Sequence, residues 1–281
     1  MKIAVTGATG FIGRHVLAEL ARHKVEVIAV VRSMVIGDRD LACAGVVHYD
    51  IQSDQADAYE LMGRPDALIH LAWSGLPNYH SLHHFDVELP AHFRFLKSLI
   101  AAGLETLHVT GTCFEYGMQS GPLSEDMETK PSNPYGFAKD TLRRQLEYLN
   151  TTLRFNLVWS RLFYLYGEGQ ADNSLYSQLR SAVKRGETAF NMSGGEQLRD
   201  YLPVSDVARA IVALTLRRVN IGVVNICAGY PVSVRRLVEN WIRENHWTIK
   251  TNLGQYPYPD YEPMAFWGSA QKLHSLIGIP T

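Results

Sequence analysis

Apolar positions along the chain fall into short dense runs that alternate with stretches in which they recur every three or four residues. Ile3-Ala4-Val5 reads as a buried strand, and Val16, Leu17, Leu20 and Ala21 keep helical spacing until His23-Lys24. Val25 to Val31 is a second strand by its β-branched density. Val46 to Ile51 is a third and Ala67 to Trp73 a fourth, with a short helix over Ala56 to Met62 between them. Asn78 to Gly103 opens on a polar stretch and continues as a helix with the stripe Phe93, Leu96, Leu99 and Ile100. Pro90 suits the first turn of that helix, with Asp86 as its cap or just upstream. Thr106 to Thr112 is another strand, running into Cys113-Phe114-Glu115-Tyr116-Gly117. A loop over Pro122 to Pro134 precedes a helix that starts near Tyr135 and carries Leu142, Leu146 and Leu149. Strands alternating with helices imply a doubly wound α/β fold, a parallel sheet covered on both faces.

From about residue 165 the pattern changes. Gly167-Glu168-Gly169-Gln170 ends a strand, and Leu175 to Arg185 is a helix with the basic residues Arg180, Lys184 and Arg185. Val204 to Leu216 is a helix returning to the first unit, and Ser233 caps another that runs to Glu244. The tail around Pro257-Tyr258-Pro259-Asp260-Tyr261 is an aromatic loop. The expected division is a larger unit over 1–165, with a return segment near 204–227, and a smaller intertwined α/β unit over 166–281.

Composition narrows the function. The chain has 281 residues, 46% hydrophobic and 20% charged, and a formal net charge of -1. That balance gives no electrostatic reason to expect a nucleic-acid or membrane partner. No apolar run approaches the ~18 residues of a membrane span, and a first strand at residue 2 or 3 leaves no room for a signal peptide. The cysteines Cys43, Cys113 and Cys227 are far apart and lack CxxC spacing, so a reducing, cytoplasmic setting is expected.

The chemistry begins at Thr6-Gly7-Ala8-Thr9-Gly10-Phe11-Ile12-Gly13, between the first strand and the first helix. A tight strand-to-helix turn presents backbone N–H groups and the positive end of a helix dipole, which suits a pyrophosphate. Glycine permits close backbone approach there. In a dinucleotide fold the end of the second strand faces the adenosine ribose, and here it is Arg32-Ser33, with no acid. With Arg14 beside the glycine turn, this favours NADP(H), while NAD(H) stays open. His80, His83 and His84 have metal-ligand spacing but no carboxylate placed to complete a site, so they read as a polar loop beside the cofactor and no metal is expected. Tyr135 and Lys139 are four apart and share a helix face.

These motifs, in this order, resemble the extended short-chain dehydrogenase/reductases, the nucleotide-sugar epimerases, dehydratases and ketoreductases. The resemblance rests on TGATGFIG, Asp50-Ile51, His70-Leu71-Ala72, the strand ending in Thr112, Tyr135 to Lys139, Arg161 to Gly167, Leu198 to Ala208 and Asn225 to Gly229. It implies a Rossmann domain for residues 1–165 and a nucleotide-sugar domain for 166–281. It further implies that Gly7, Thr9, Gly10, Phe11, Ile12, Gly13, Arg14, Arg32, Ser33, Asp50, Ile51, Leu71 and Ala72 meet the dinucleotide, together with Tyr135 and Lys139. Tyr135 is the expected proton donor, Lys139 stabilises its phenolate and holds the nicotinamide ribose, and Thr112 bonds the substrate oxygen.

Residues beside Thr112 select a branch of that family. The dehydratases resemble Thr-Asp-Glu here, whereas this chain has Thr112-Cys113-Phe114. Glu115 would face the opposite side if the strand persists. Cys113 reads as a small buried hydrophobe rather than an acid or base. The expected reaction is NADPH-dependent reduction of a nucleoside-diphosphate 4-keto-6-deoxyhexose, best fitted by dTDP-4-keto-6-deoxyglucose going to dTDP-fucose or dTDP-6-deoxytalose for a surface polysaccharide. An NAD-dependent 4-epimerase is the alternative, and an NADP-sensing regulator or a scaffold without catalysis are others. Thr112, Cys113, Phe114, Tyr164 and Asn173 are expected at the sugar, and Arg199 at the diphosphate, where its alternative is a structural pair with Asp200. The resemblance also implies a homodimer through the helix near Phe93-Leu99 and the one beginning at Tyr135, as a four-helix bundle.

Overall fold

A computed structural model gives the fold, and residues 1–32, 44–53, 57–258, 260 and 262–278 are described. Ser33, Cys43, Pro259 and Tyr261 lie outside them. The first half runs β1 (Lys2–Thr6), α1 (Phe11–Leu20), β2 (Glu26–Val31), β3 (Gly45–His48), α2 (Ala58–Leu61), β4 (Ala67–His70), α3 (Leu89–Ala102), β5 (Thr106–Thr112), β6 (Gly121–Leu123), α4 (Pro134–Leu149) and β7 (Asn156–Leu162). The second half runs β8 (Tyr164–Tyr166), α5 (Leu175–Lys184), β9 (Ala189–Asn191), β10 (Leu198–Arg199), β11 (Tyr201–Pro203), α6 (Val204–Leu216) and β12 (Gly222–Ile226). It closes with β13 (Val232–Ser233), α7 (Val234–Glu244), β14 (Lys250–Asn252), β15 (Phe266–Gly268) and α8 (Gln271–Ile277).

Seven strands form one parallel sheet in the order β12-β7-β5-β4-β1-β2-β3. Burial on both faces explains why β1 and β4 read as nearly continuous apolar runs. Ile3 and Val5 pack with Val16, Leu17 and Leu20 of α1 and Val207 and Ile211 of α6. Ala4, on the other face, packs with Leu96 and Leu99 of α3 and Leu142 and Leu146 of α4. Strand order reverses between β1 and β4, and a crevice opens beyond the carboxyl ends of strands at such a point.

A smaller cluster forms where α5 and α7 cover short strand pairs, around Leu179, Phe190, Leu237, Val238 and Trp241. Ser233 caps α7 as expected, accepting the Arg236 N–H at 3.2 Å. Asp200 ties this half to the sheet by accepting N–H groups of Ala228 at 2.6 Å, Gly229 at 3.0 Å and Gly268 at 3.3 Å. Burial pushes its carboxyl up to about 6 against those three bonds. Among the described residues, no helix is long and apolar enough to cross a membrane.

The structure refines the local expectations at three places. The third and fourth strands end at His48 and His70, short of Ile51 and Trp73. Asp86 takes the second of its two expected places, just upstream of α3 in a π turn over His84–Glu88 that leads into the helix, and Pro90 sits in the first turn. β5 does not persist past Thr112; Cys113–Tyr116 is a 3-10 turn, which carries Glu115 back into the interior.

Candidate active site

Two clefts meet at Trp73 beyond the ends of β1, β4 and β5. The first, about 320 Å³, is lined by Gly7, Thr9, Gly10, Arg32, Asp50, Ile51 and Ala72, and also by Gln52, Ser74, Glu88 and His92. Its glycine turn separates internal need from ligand need. Gly7 has φ +68°, and a Cβ there would stand 2.8 Å from Ala72 N; at Gly13 a Cβ would overlap Gly7 O and stand 2.6 Å from Ala8 O. Gly10 has φ −74°, and a Cβ would meet only Gly7 O at 3.1 Å. Among the described residues, nothing else fills the space beside Gly10, and α1 begins there with no side-chain cap. An uncapped helix start with room for close approach fits a dinucleotide pyrophosphate. Gly13→Ala is expected to cost about 1–3 kcal/mol in denaturant unfolding. Gly10→Ala should cost under about 1 kcal/mol, yet weaken NADH binding about tenfold, read by fluorescence of the bound nicotinamide.

The second cleft, about 680 Å³, takes Phe11, Ile12 and Leu71 from the cofactor set and Thr112, Cys113, Phe114, Tyr135, Lys139, Tyr164 and Asn173 from the catalytic and substrate sets. Local folding brings the trio together. Asn133 caps α4 by accepting the Gly136 N–H at 2.8 Å, and Pro134 takes the first position. A Cβ on Gly136 would stand 2.7 Å from Phe114 O, so glycine lets α4 start directly against the turn that follows β5. Tyr135 is buried among His84, Tyr79, Trp73 and Phe114, with ring centroids 5.3, 5.6, 6.2 and 6.4 Å away. Burial raises its phenol pKa, and the neighbouring Thr112 hydroxyl acts in the opposite sense. Lys139 Nζ donates to Thr110 O at 3.0 Å and lies 4.0 Å from the centre of a Trp73 ring. Burial pushes its ammonium down to about 7 against the fields of Glu115 and Glu88.

A model of the NAD dependent epimerase/dehydratase family matches residues 3–227. The chain belongs to that family. A relative named dTDP-6-deoxy-L-talose 4-dehydrogenase (NAD(+)), from Aggregatibacter actinomycetemcomitans, is 31% identical over 271 residues, covering 96% of this chain and 100% of its own. A Kitasatospora kifunensis relative named dTDP-6-deoxy-L-talose 4-dehydrogenase (NAD(P)(+)) is 29% identical and covers 92% of this chain and 83% of its own. Among solved structures, MoeE5 in complex with UDP-glucuronic acid and NAD matches 99% of this chain and 93% of its own, with a TM-score of 0.82 and 27% identity. The protein is thus an NAD(P)-dependent member of the epimerase/dehydratase family that acts on a nucleotide sugar.

Several expected residues of this epimerase/dehydratase member lie elsewhere. Gly13 and Arg14 line neither cleft. Arg199 is buried, its Nη2 3.0 Å from Glu262 and its Nη1 2.9 Å from Leu198 O, with its guanidinium 4.8 Å from the Phe266 ring. Its charge partner is therefore Glu262 and not Asp200, and Tyr164, at the edge of the second cleft, also donates its hydroxyl to Glu262. Glu262 was not signalled by any motif.

The histidines separate by partner. His84 accepts the Trp73 indole N–H at 3.1 Å and donates to Asn78 O at 2.9 Å, whereas His83 meets Glu88 at 3.1 Å. His80 lines the second cleft. His92 was not signalled by any motif, and His70 entered only through the His70-Leu71-Ala72 motif. Glu88 accepts from His92 Nε2 at 3.0 Å, His92 Nδ1 meets His70 Nε2 at 2.7 Å, and His70 Nδ1 meets the Thr6 hydroxyl at 2.8 Å. With Glu88 ionised only one assignment satisfies every link: Thr6 donates to His70, His70 to His92, and His92 to Glu88. Burial, the largest influence on both imidazoles, lowers their pKa and keeps them neutral.

Proposed function

We propose that this protein reduces the C4 carbonyl of a nucleoside-diphosphate 4-keto-6-deoxyhexose in one hydride transfer, with dTDP as the favoured nucleotide and a 6-deoxytalose as the favoured product. The observation that carries the reading is the lining of the second cleft. It holds Tyr135, Thr112 and Lys139, and no aspartate or glutamate lines it among the described residues. Elimination of water or epimerisation next to a carbonyl needs an additional acid or base, and no carboxylate of the described lining supplies one; a single reduction needs one proton donor. The names of the two talose dehydrogenases support the sugar.

The bound nicotinamide dinucleotide would supply the hydride. Gly7, Thr9 and Gly10 would hold its pyrophosphate, Asp50 and Ile51 would flank the adenine, and Arg32 would stand by the ribose. In that arrangement the Thr112 hydroxyl orients the carbonyl oxygen, Tyr135 delivers its phenolic proton to that oxygen, and the Lys139 ammonium stabilises the phenolate left behind. The raised phenol keeps the proton in place at neutral pH. The aromatic enclosure of Tyr135 keeps water away from it. Arg32, the cation lining the first cleft at the end of β2, favours NADPH. Exposed Phe137 and Tyr148 on α4 suit pairing of two copies through α3 and α4.

The test supplies dTDP-4-keto-6-deoxyglucose and its C3,C5-inverted form, each with NADPH and with NADH, and follows reduced-nicotinamide absorbance. Stoichiometric loss with one keto sugar, faster with NADPH, is expected. No loss with either cofactor rejects the reductase. Interconversion of intact nucleotide sugars without net cofactor change would place the protein with the 4-epimerases.

A further inference from the structure

Glu88 is almost fully buried and lines the first cleft, yet it has no lone pair left for a ligand. Its oxygens accept from Ser74 N at 2.8 Å, Ser74 Oγ at 2.6 Å, Gln52 Nε2 at 2.6 Å, His92 Nε2 at 3.0 Å and His83 Nε2 at 3.1 Å. A carboxylate offers about four acceptor sites, and five donors already converge on this one. Binding a ribose hydroxyl would require breaking that set. Its effect on the site therefore comes through charge.

Among the described residues, no lysine or arginine is within ion-pair distance of Glu88. Lys139 is in the complementary position. Its ammonium is buried, it donates to a carbonyl, and no described carboxylate pairs with it. The two meet through a pair of rings: Lys139 Nζ lies 4.0 Å from Trp73, and Trp73 is stacked on His92 at 4.7 Å with 25° between planes. His92 donates to Glu88. An uncompensated buried charge is costly, and an opposite charge nearby relieves both members.

We propose that Glu88 is the counterion of Lys139, acting across Trp73 and His92, and is a positioning residue that keeps the Lys139 ammonium charged. The other ionisable groups facing Lys139 do not replace it. Glu115, from the turn after β5, is matched by Arg161 Nε at 2.7 Å and Arg143 at 3.8 Å. His70 of β4, His92 of α3 and His84 before it are held neutral by burial, and Tyr135 on α4 stays a phenol. Glu88 supplies the one negative charge near Lys139 without a cation of its own among the described residues. The inference rests on the reading of Lys139 as the residue that holds the nicotinamide ribose.

The experiment measures the NADH dissociation constant against pH by fluorescence, with no sugar present. NADH avoids a 2′-phosphate, whose second ionisation lies near neutrality. In the wild type, binding should weaken as pH rises through the Lys139 titration, and Lys139→Met should abolish the step. Glu88→Gln removes the charge, so the ammonium is lost earlier and the midpoint should fall by about one pH unit. If that variant does not fold, Gln52→Lys neutralises Glu88 from the exposed side of the cleft and should move the midpoint the same way. An unmoved midpoint, with or without a uniform loss of affinity, overturns the proposal, as does a wild type with no step. A wrong sugar assignment leaves this readout intact, so intact titration without turnover counts against the reductase alone.

Discussion

Tyr135→Phe should lower turnover of the keto sugar by about 10³-fold while changing the NADH dissociation constant by less than about threefold. The substitution leaves the ring among His84, Tyr79, Trp73 and Phe114, so the wall of the second cleft survives. What it removes is the proton. The described lining offers poor replacements: burial drives the Cys113 thiol far above its usual range, and His80 is exposed at the rim. Direction sets the pH response. Reduction consumes the phenol, which burial keeps protonated, so Tyr135 adds no pH step of its own near neutrality, and the step expected there is that of the Lys139 ammonium. Oxidation of the product alcohol needs the phenolate, so its rate should climb with pH. Rapid-mixing single turnovers beside equilibrium NADH titrations separate the two effects. Turnover within tenfold of wild type in the variant would remove Tyr135 from the proton-donor role.

That role could be proposed before the structure because its parts are local. A glycine turn between strand and helix, a Tyr and Lys one helical turn apart, and a strand ending in Thr112 are contiguous patterns, and the parallel sheet brings their ends to one crevice. The parts that escaped are those whose partners are distant in sequence. Glu88 and His92 are four apart on one helical face, a detectable signal, but His70 and Thr6 reach them only through the pairing of β1 with β4. Glu262 meets Arg199 across 63 positions, whereas the local signal at Arg199 pointed to its neighbour Asp200 and nothing marked Glu262. Glu115 failed for a different reason. Strict alternation assigns it to the face opposite Thr112, whereas the Thr112–Glu115 capping box turns the chain inward one residue after the strand.

That capping box makes Glu115→Gln the substitution with the largest expected cost to stability, about 3–5 kcal/mol in denaturant unfolding. Glu115 is fully buried. Its Oε1 accepts the Thr112 N–H at 2.9 Å and the Trp159 indole N–H at 3.0 Å, and its Oε2 accepts Arg161 Nε at 2.7 Å. Both oxygens already face donors, so a glutamine must turn its NH₂ toward one of them. The loss of charge also leaves Arg161, itself 1% exposed, with the face of Tyr116 at 4.5 Å as its remaining electrostatic support among the described residues. Removing one member of a buried pair costs far more than removing both, because the remaining charge stays desolvated. The double variant Glu115→Gln/Arg161→Met should therefore recover at least half of the lost stability. It should not recover turnover, because the Thr112 N–H still loses its anionic acceptor and the hydroxyl that orients the substrate loses its fixed turn. Recovery of both would reduce Glu115 to a neutraliser of Arg161; recovery of neither would mean that its bonds to Thr112 and Trp159, rather than its charge, hold this part of the fold.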